Sequence, residues 1–254
     1  MIGNQVDPTK RFAGRASDYA KHRPRYPKAL FDHLFLTGVL RRGSVVADIG
    51  SGTGIFSEPL LERGLMVYGV EPNQEMRQQA EASLHGYRNF ISVDGRAEDT
   101  KLPEASVDLI AAAQAFHWFD LEAAKKEFGR ILRSGGQICI VYNERQETMD
   151  AFSQEFEDLF TQYAKADKEN RERDREPSEL FGGQGYKLAE FQNMQELDLE
   201  GLLGRTFSVS YMPRKGEAGH EQVVECIAAM FEKHQHGGRV VVHYRTQCYY
   251  GNLE

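Results

Sequence analysis

Asp48, Gly50, Gly52, Gly54 and Glu71 are the residues whose types and spacing most directly imply chemistry. Over residues 44–54 the chain reads Ser-Val-Val-Ala-Asp-Ile-Gly-Ser-Gly-Thr-Gly, so an apolar, strand-like run from Val45 to Ile49 enters three glycines at alternate positions. Glycine takes positive φ at no steric cost and lets backbone pass close to a bound molecule. A helix is expected to open near Ile55, turning its first amides and its dipole toward the same molecule. A strand, a glycine turn and a helix N-terminus in this order cradle a nucleotide. Glu71 ends the next apolar run, where a carboxylate accepts hydrogen bonds from both ribose hydroxyls.

The details of the turn select the nucleotide. A dinucleotide fingerprint, G-x-G-x-x-G, would place its third glycine where this chain has Ile55. A pyrophosphate at the helix terminus needs no preceding carboxylate and would be repelled by Asp48. A ligand with a cationic amino-acid end would be attracted to it. The combination of Asp48, the glycine triplet and Glu71 favours S-adenosylmethionine over NAD.

The elements that must position these residues follow from hydrophobic period. Val45–Ile49, Met66–Val70, Phe90–Val93, Val107–Ala112 and Gln137–Tyr142 read as strands, with helices at Ile55–Arg63, Asn73–Leu84 and Leu121–Leu132 between them. Ser134-Gly135-Gly136 reads as the stop of the last helix. Nearly continuous apolar strands alternating with helices predict an α/β fold: a doubly wound, mostly parallel, seven-stranded Rossmann-like sheet. From Glu144 the pattern changes. Phe152, Phe156, Leu159, Phe160 and Tyr163 have helical spacing, predicting a helix over 147–168 with a solvated charged tail from Lys165 to Glu176. Residues 181–185 read as a turn, 186–198 and 239–250 as strands, and 199–206 and about 217–234 as helices. The expected organisation is one domain over 1–254. Residues 10–40 form lid-like helices, 41–143 the cofactor-binding core, 144–185 a helical insertion or cap, and 186–254 the elements completing the sheet.

Composition bounds the function. With 254 residues and 41% hydrophobic content the chain can bury a substantial core, and its formal charge of −7 argues against nucleic acid as partner. Met1 to Lys10 lacks the apolar core of a signal peptide, and no run approaches a membrane span. Cys139, Cys226 and Cys248 are odd in number and far apart, which fits a reducing compartment without a disulfide framework. A cytoplasmic protein with no membrane partner is expected.

These motifs resemble those of the class I S-adenosylmethionine-dependent methyltransferases. Asp48 to Gly54 is similar to the family's first motif and Val70-Glu71-Pro72 to its acidic second one. Gly95-Arg96-Ala97-Glu98 looks like the adenine turn, Ala113-Gln114-Ala115-Phe116-His117-Trp118-Phe119 like the motif after the fourth strand, and Arg130-Ile131-Leu132-Arg133-Ser134-Gly135-Gly136 like the helix-to-fifth-strand motif. The lead-in Tyr19-Ala20-Lys21-His22-Arg23-Pro24-Arg25-Tyr26-Pro27 resembles that of trans-aconitate methyltransferase-like proteins. The resemblance implies that Gly50, Ser51 and Gly52 approach the amino-acid end and ribose of the cofactor, that Asp48 orients that end, and that Glu71 holds the ribose hydroxyls. It places Pro72, Met76, Ala97 and Glu98 near adenine, although Glu98 could instead cap a short helix over 98–101. It puts a backbone carbonyl of Gln114 near the cofactor amine.

Further candidates stand beside these. Trp118 is either a core anchor or an aromatic wall beside the sulfonium. His117 is either held by a neighbouring loop or serves as a substrate contact or general base. Tyr19, Arg23 and Tyr26 either fix a helix on the surface or form a lid, with Arg23 pairing the cofactor carboxylate and Tyr19 near the reaction. His234-x-His236 reads as a helix end, and no metal is expected. The absence of an Asn/Asp-Pro-Pro-aromatic motif after the fourth strand, which is common in the family's amino methyltransferases, also counts against nucleobase acceptors. The expected reaction is methyl transfer to a small organic carboxylate or hydroxyl, with S-adenosylhomocysteine as product. If the acceptor is a carboxylate, Arg23, Arg145 or Arg214 would pair with it. A non-catalytic S-adenosylmethionine-binding protein and an NAD-linked oxidoreductase are the alternatives.

Overall fold

The computed structural model describes residues 16–164, 176–182 and 185–253. The readings made for residues 1–15, for 165–175 and for Gly183-Gln184 lie outside the described residues.

Helices α1 (Ala16–His22) and α2 (Lys28–Leu36) precede a sheet whose first four strands are β1 (Val45–Ile49), β2 (Met66–Val70), β3 (Phe90–Val93) and β4 (Val107–Ala113). Helices α3 (Ser57–Glu62), α4 (Gln74–Leu84) and α5 (Leu121–Ile131) connect them, followed by β5 (Leu132–Arg145), α6 (Ala151–Ala164), β6 (Tyr186–Leu197), α7 (Leu199–Phe207), α8 (His220–His234) and β7 (Val240–Gly251). The seven strands lie in the order β3-β2-β1-β4-β5-β7-β6. β1 to β5 pair in parallel, and β7 runs antiparallel to both β5 and β6. The doubly wound, mostly parallel seven-stranded sheet expected from the sequence is the fold observed.

The apolar strands are covered on both faces. Leu30, Phe31 and Leu34 of α2 pack with Leu60 and Leu61 of α3 against Val46 and Val67. Ala124, Phe128 and Ile131 of α5 pack with Leu180 and Phe181 against Ala47, Ile49 and Ile110. Each such fully buried large apolar side chain contributes about 1.5–3 kcal/mol.

Two boundaries at glycine-rich stretches differ from the sequence reading, and α6 starts at Ala151 rather than at residue 147. Helix α3 starts at Ser57 rather than Ile55, because a turn closed by Gly54 N–H to Ser51 O at 2.9 Å comes first. Ser134-Gly135-Gly136 is not a helix stop but part of β5. Leu132 pairs with Val107 and Gln137 with Leu109, leaving residues 133–136 as a bulge in which Gly135 has φ +76°.

The C-terminal half builds a cap. The start of β7 and the end of β6 run past the last pairing of β5, at Arg145 with Tyr244. Parallel β5 ends on the carboxyl edge of the sheet, so this extension rises above that edge. Phe152, Phe156 and Phe160 of α6, Leu202 of α7, and Val223, Ile227 and Met230 of α8 form a separate core around Tyr244. The expected phenylalanine spacing of α6 is thus its inward face, with ring centroids at 5.5 and 4.9 Å along the helix. The fifth strand runs to Arg145, two residues into the stretch expected to form an insertion from residue 144. Helix α1 is fastened to this cap. His22 lies so close over Gly204 that a Cβ there would fall 2.3 Å from the imidazole, and Gln195 donates to His22 O at 2.9 Å.

Candidate cofactor-binding site

Gly50, Gly52 and Gly54 all have positive φ, at +69°, +55° and +84°. A Cβ on Gly50 would meet Ala115 Cβ at 2.5 Å, and one on Gly54 would meet Leu84 Cδ1 at 2.6 Å, so these two glycines let the turn pack against its neighbours. A Cβ on Gly52 would meet nothing within 4 Å. Gly52 is therefore the position where backbone faces open space, and its N–H donates to Glu71 Oε2 at 3.0 Å. Asn73 N–H donates to Glu71 Oε1 at 2.8 Å. Burial raises the Glu71 carboxyl pKa above its ordinary value, and these two N–H groups oppose the rise.

Gly52 and Glu71 open into a cavity of about 440 Å³ above the carboxyl ends of β1, β2 and β4. Gly50, Pro72, Met76, Ala97, Glu98, Gln114, Trp118 and Tyr19 line it too, so the structure gathers these expected residues around one space. Gln114 is one of three described non-glycine residues with positive φ, at +58°, held by its N–H to Val141 O at 2.9 Å and its side chain to Asn143 O at 3.1 Å. Backbone held in this region commonly marks a site. Glu98 does not start a helix. It sits in a turn closed by Arg96 and Asp99, and its carboxylate accepts the Asp120 N–H at 2.7 Å. His117 is not among the cavity's lining residues. Its ring packs 4.8 Å from Trp118 and 6.4 Å from Tyr142.

A smaller side pocket of about 40 Å³ adjoins the cavity through Tyr19, Gly50, Gly52 and Gln114, and holds Arg23, Asp48 and Ser51. Asp48 is fully buried, and its Oδ2 accepts the Ser57 hydroxyl at 2.6 Å. Burial pushes its pKa up to about 7, against the pull of Ser57 and with a push from Glu71. Arg23 lies over the Tyr19 ring at 4.7 Å and donates through Nη2 to Ser208 O at 3.1 Å. Burial, with help from Arg205 and Arg145, brings the Arg23 pKa down to about 10. Tyr26 borders this pocket and packs edge-on against Phe56.

The other two candidate carboxylate partners are placed elsewhere. Arg145 is engaged by Glu157 at 2.5 and 3.0 Å and stacks on Phe160 at 4.1 Å, so its guanidinium is already matched. Arg214 is exposed and lines neither space. His234 bonds Glu155 at 2.8 Å and His236 pairs with Arg239, as a helix end and turn should.

Sequence reasoning quoted Arg96, Phe119 and Thr53 only within motifs, without a role of their own, and missed Asn73 and Asp120 around the main cavity and Asn143 and Arg205 around the side pocket. Asn73 carried a signal, since an asparagine after Pro72 opens a helix; its side chain accepts Met76 N–H at 3.0 Å. Arg205 carried none, because only the fold of the cap brings it to Arg23.

Residues 47–140 match the family model described as "Methyltransferase domain". An uncharacterized methyltransferase of Mycobacterium tuberculosis is 38% identical over 149 residues, 59% of this chain and 58% of that protein. An uncharacterized methyltransferase-like protein of Schizosaccharomyces pombe is 31% identical over 152 residues, 58% of this chain and 57% of that protein. The chain thus spans under two thirds of the length of these curated relatives. The structure of "a Putative Type II Methyltransferase from Anaeromyxobacter dehalogenans" superimposes with a TM-score of 0.65 at 24% identity, over 91% of this chain and 97% of that one. A SAM-dependent methyltransferase from Geobacter sulfurreducens in complex with S-adenosyl-L-homocysteine superimposes with a TM-score of 0.50 at 16% identity, over 96% and 98% of the two chains. At these identities the two structures establish a shared fold. Residues 47–140 are thus similar to a methyltransferase domain. Among the described residues no helix is long and apolar enough to cross a membrane.

Proposed function

We propose that this chain transfers a methyl group from S-adenosylmethionine to a small organic acceptor, a carboxylate or a hydroxyl. The observation that carries the reading is the buried Glu71 carboxylate held by Gly52 N–H beside the one glycine of the turn that faces open space. This pair would hold the ribose, while Pro72, Met76 and Ala97 flank the adenine. Asp48 would face the cationic amino-acid end, a placement that disfavours the pyrophosphate of NAD.

Bound S-adenosylmethionine supplies a methyl carbon activated by its sulfonium leaving group, so the reaction is an in-line displacement. The chain's own tasks are alignment and exclusion of water. Trp118 would wall the cavity and Gln114 would present backbone to the cofactor amine. Tyr19, which borders both spaces, would stand beside the acceptor. His117, whose ring packs near both Trp118 and Tyr142, is read as support for Trp118. The cap and α1 would roof the carboxyl edge as parts of one domain. An acceptor carboxylate is in keeping with the lead-in similar to trans-aconitate methyltransferase-like proteins. The three free cysteines suit a cytoplasmic protein.

The test is release of S-adenosylhomocysteine across a panel of small carboxylates and hydroxyl compounds. Turnover with one of them supports the reading. Cofactor binding without turnover on any small-molecule panel or metabolite extract would favour a non-catalytic binding protein.

A further inference from the structure

Seven buried side-chain polar atoms lack a hydrogen-bond partner among the described residues, and four of them belong to residues lining the one small side pocket: Arg23 Nε, Arg205 Nη1, Asp48 Oδ1 and Thr53 Oγ1. A buried donor or acceptor left unmade costs about 1–3 kcal/mol, so four around one space mark it as a place where a bound molecule's polar groups would be matched. Their charges are arranged in two poles. Arg23 and Arg205 feel each other's positive charge, which helps lower the Arg23 pKa, and their hydrogen bonds go to neutral groups, Ser208 O and Tyr244 Oη. Asp48 forms no ion pair, and neither arginine is among the groups that shift it. The pocket therefore offers a dicationic pole and a separate anionic pole.

Arg205 is built to serve this site. Its side chain sits on α7 at 2% exposure, aimed by Nε donating to Tyr244 Oη at 2.9 Å, and that hydroxyl donates in turn to Gln195 at 3.0 Å. Its Nη1 is left over. The space of about 40 Å³ admits a head group and little more.

We propose that Arg205, delivered by the cap, is a second ligand beside Arg23 for the carboxylate on the amino-acid head of the methyl donor, seated in this pocket. The ammonium faces Asp48 Oδ1. The cap thereby reads the donor directly. This rests on the S-adenosylmethionine reading above.

Calorimetric titration of the full chain with S-adenosylhomocysteine, its decarboxylated analogue and 5′-methylthioadenosine tests it. Wild type should bind S-adenosylhomocysteine about 10- to 100-fold more tightly than the decarboxylated analogue. Arg205→Gln should weaken S-adenosylhomocysteine by a similar factor and leave 5′-methylthioadenosine within about twofold, with partial rescue by Arg205→Lys. Equal weakening of both ligands would make Arg205 a packing residue of the cap and overturn the proposal. Unchanged S-adenosylhomocysteine affinity in Arg205→Gln would overturn it too, as would a wild type indifferent to the carboxylate, a readout that needs no variant to fold. Failure of wild type to bind S-adenosylhomocysteine at all would instead bring down the cofactor reading itself.

Discussion

Replacing Asp48 with asparagine should make the unliganded protein more tolerant of alkaline pH while weakening its hold on the cofactor. The magnitude follows from burial. Asp48 ionises near pH 7 in the folded chain against an ordinary value of 3.8. The folded state therefore holds this proton more tightly than the unfolded state, so the associated stability is present at low pH and is lost as pH rises from about 4 to about 7. A gap of about three pH units at about 1.4 kcal/mol each amounts to about 4 kcal/mol. Asparagine can still accept the Ser57 hydroxyl, but its amide nitrogen would replace the unpartnered Oδ1 at a pH-independent cost of about 1–3 kcal/mol. Urea unfolding at pH 5 and pH 8 separates the two effects. Between those pH values only the two units from pH 5 to about 7 are crossed, so the stability of Asp48→Asn relative to wild type should improve by about 2.5 kcal/mol, whatever the constant cost. A relative stability independent of pH would refute the burial of an ionisable Asp48. Binding should move the other way: in wild type, affinity for S-adenosylhomocysteine should rise with pH between about 6 and 7.5 as Asp48 ionises, and Asp48→Asn should lack this rise.

Other outcomes follow from the same geometry. Glu71→Ala should weaken cofactor binding by about 1.5–3 kcal/mol, since it removes the acceptor of ribose hydroxyls and frees Gly52 N–H, and calorimetry would register the loss. Gly52→Val should abolish binding in a chain that remains folded by circular dichroism, at a strain cost of about 1–2 kcal/mol for a side chain at φ +55°; normal binding would reduce Gly52 to a turn residue. Phe156→Ala should cost about 3–5 kcal/mol by opening a cavity between α6 and α8, measured by chemical denaturation, with little change expected where the cap is loosely packed.

The geometry of the glycine turn was legible because it is local. A strand, three glycines and a strand-end glutamate lie within one stretch of chain, and backbone sterics and burial fix how they sit together. The parallel sheet was legible for a similar reason, since doubly buried strands leave an apolar signature. The misread points arise where tertiary structure overrides local pattern. Ser134-Gly135-Gly136 carries the composition of a helix stop, yet Leu132 pairs with Val107 and turns the glycines into a bulge. Arg145 has the charge of a carboxylate ligand but is neutralised by Glu157, a residue whose position depends on how α6 folds back. Arg205 had no local signature, because its partners Arg23 and Tyr244 come from opposite ends of the chain.

Parallel calorimetric titrations of the full chain with S-adenosylhomocysteine and NAD test the central claim most directly. The expected result is saturable, one-to-one binding of S-adenosylhomocysteine, lost in Gly52→Val, with no measurable heat of specific binding for NAD. Tight binding of NAD with none for S-adenosylhomocysteine would contradict it.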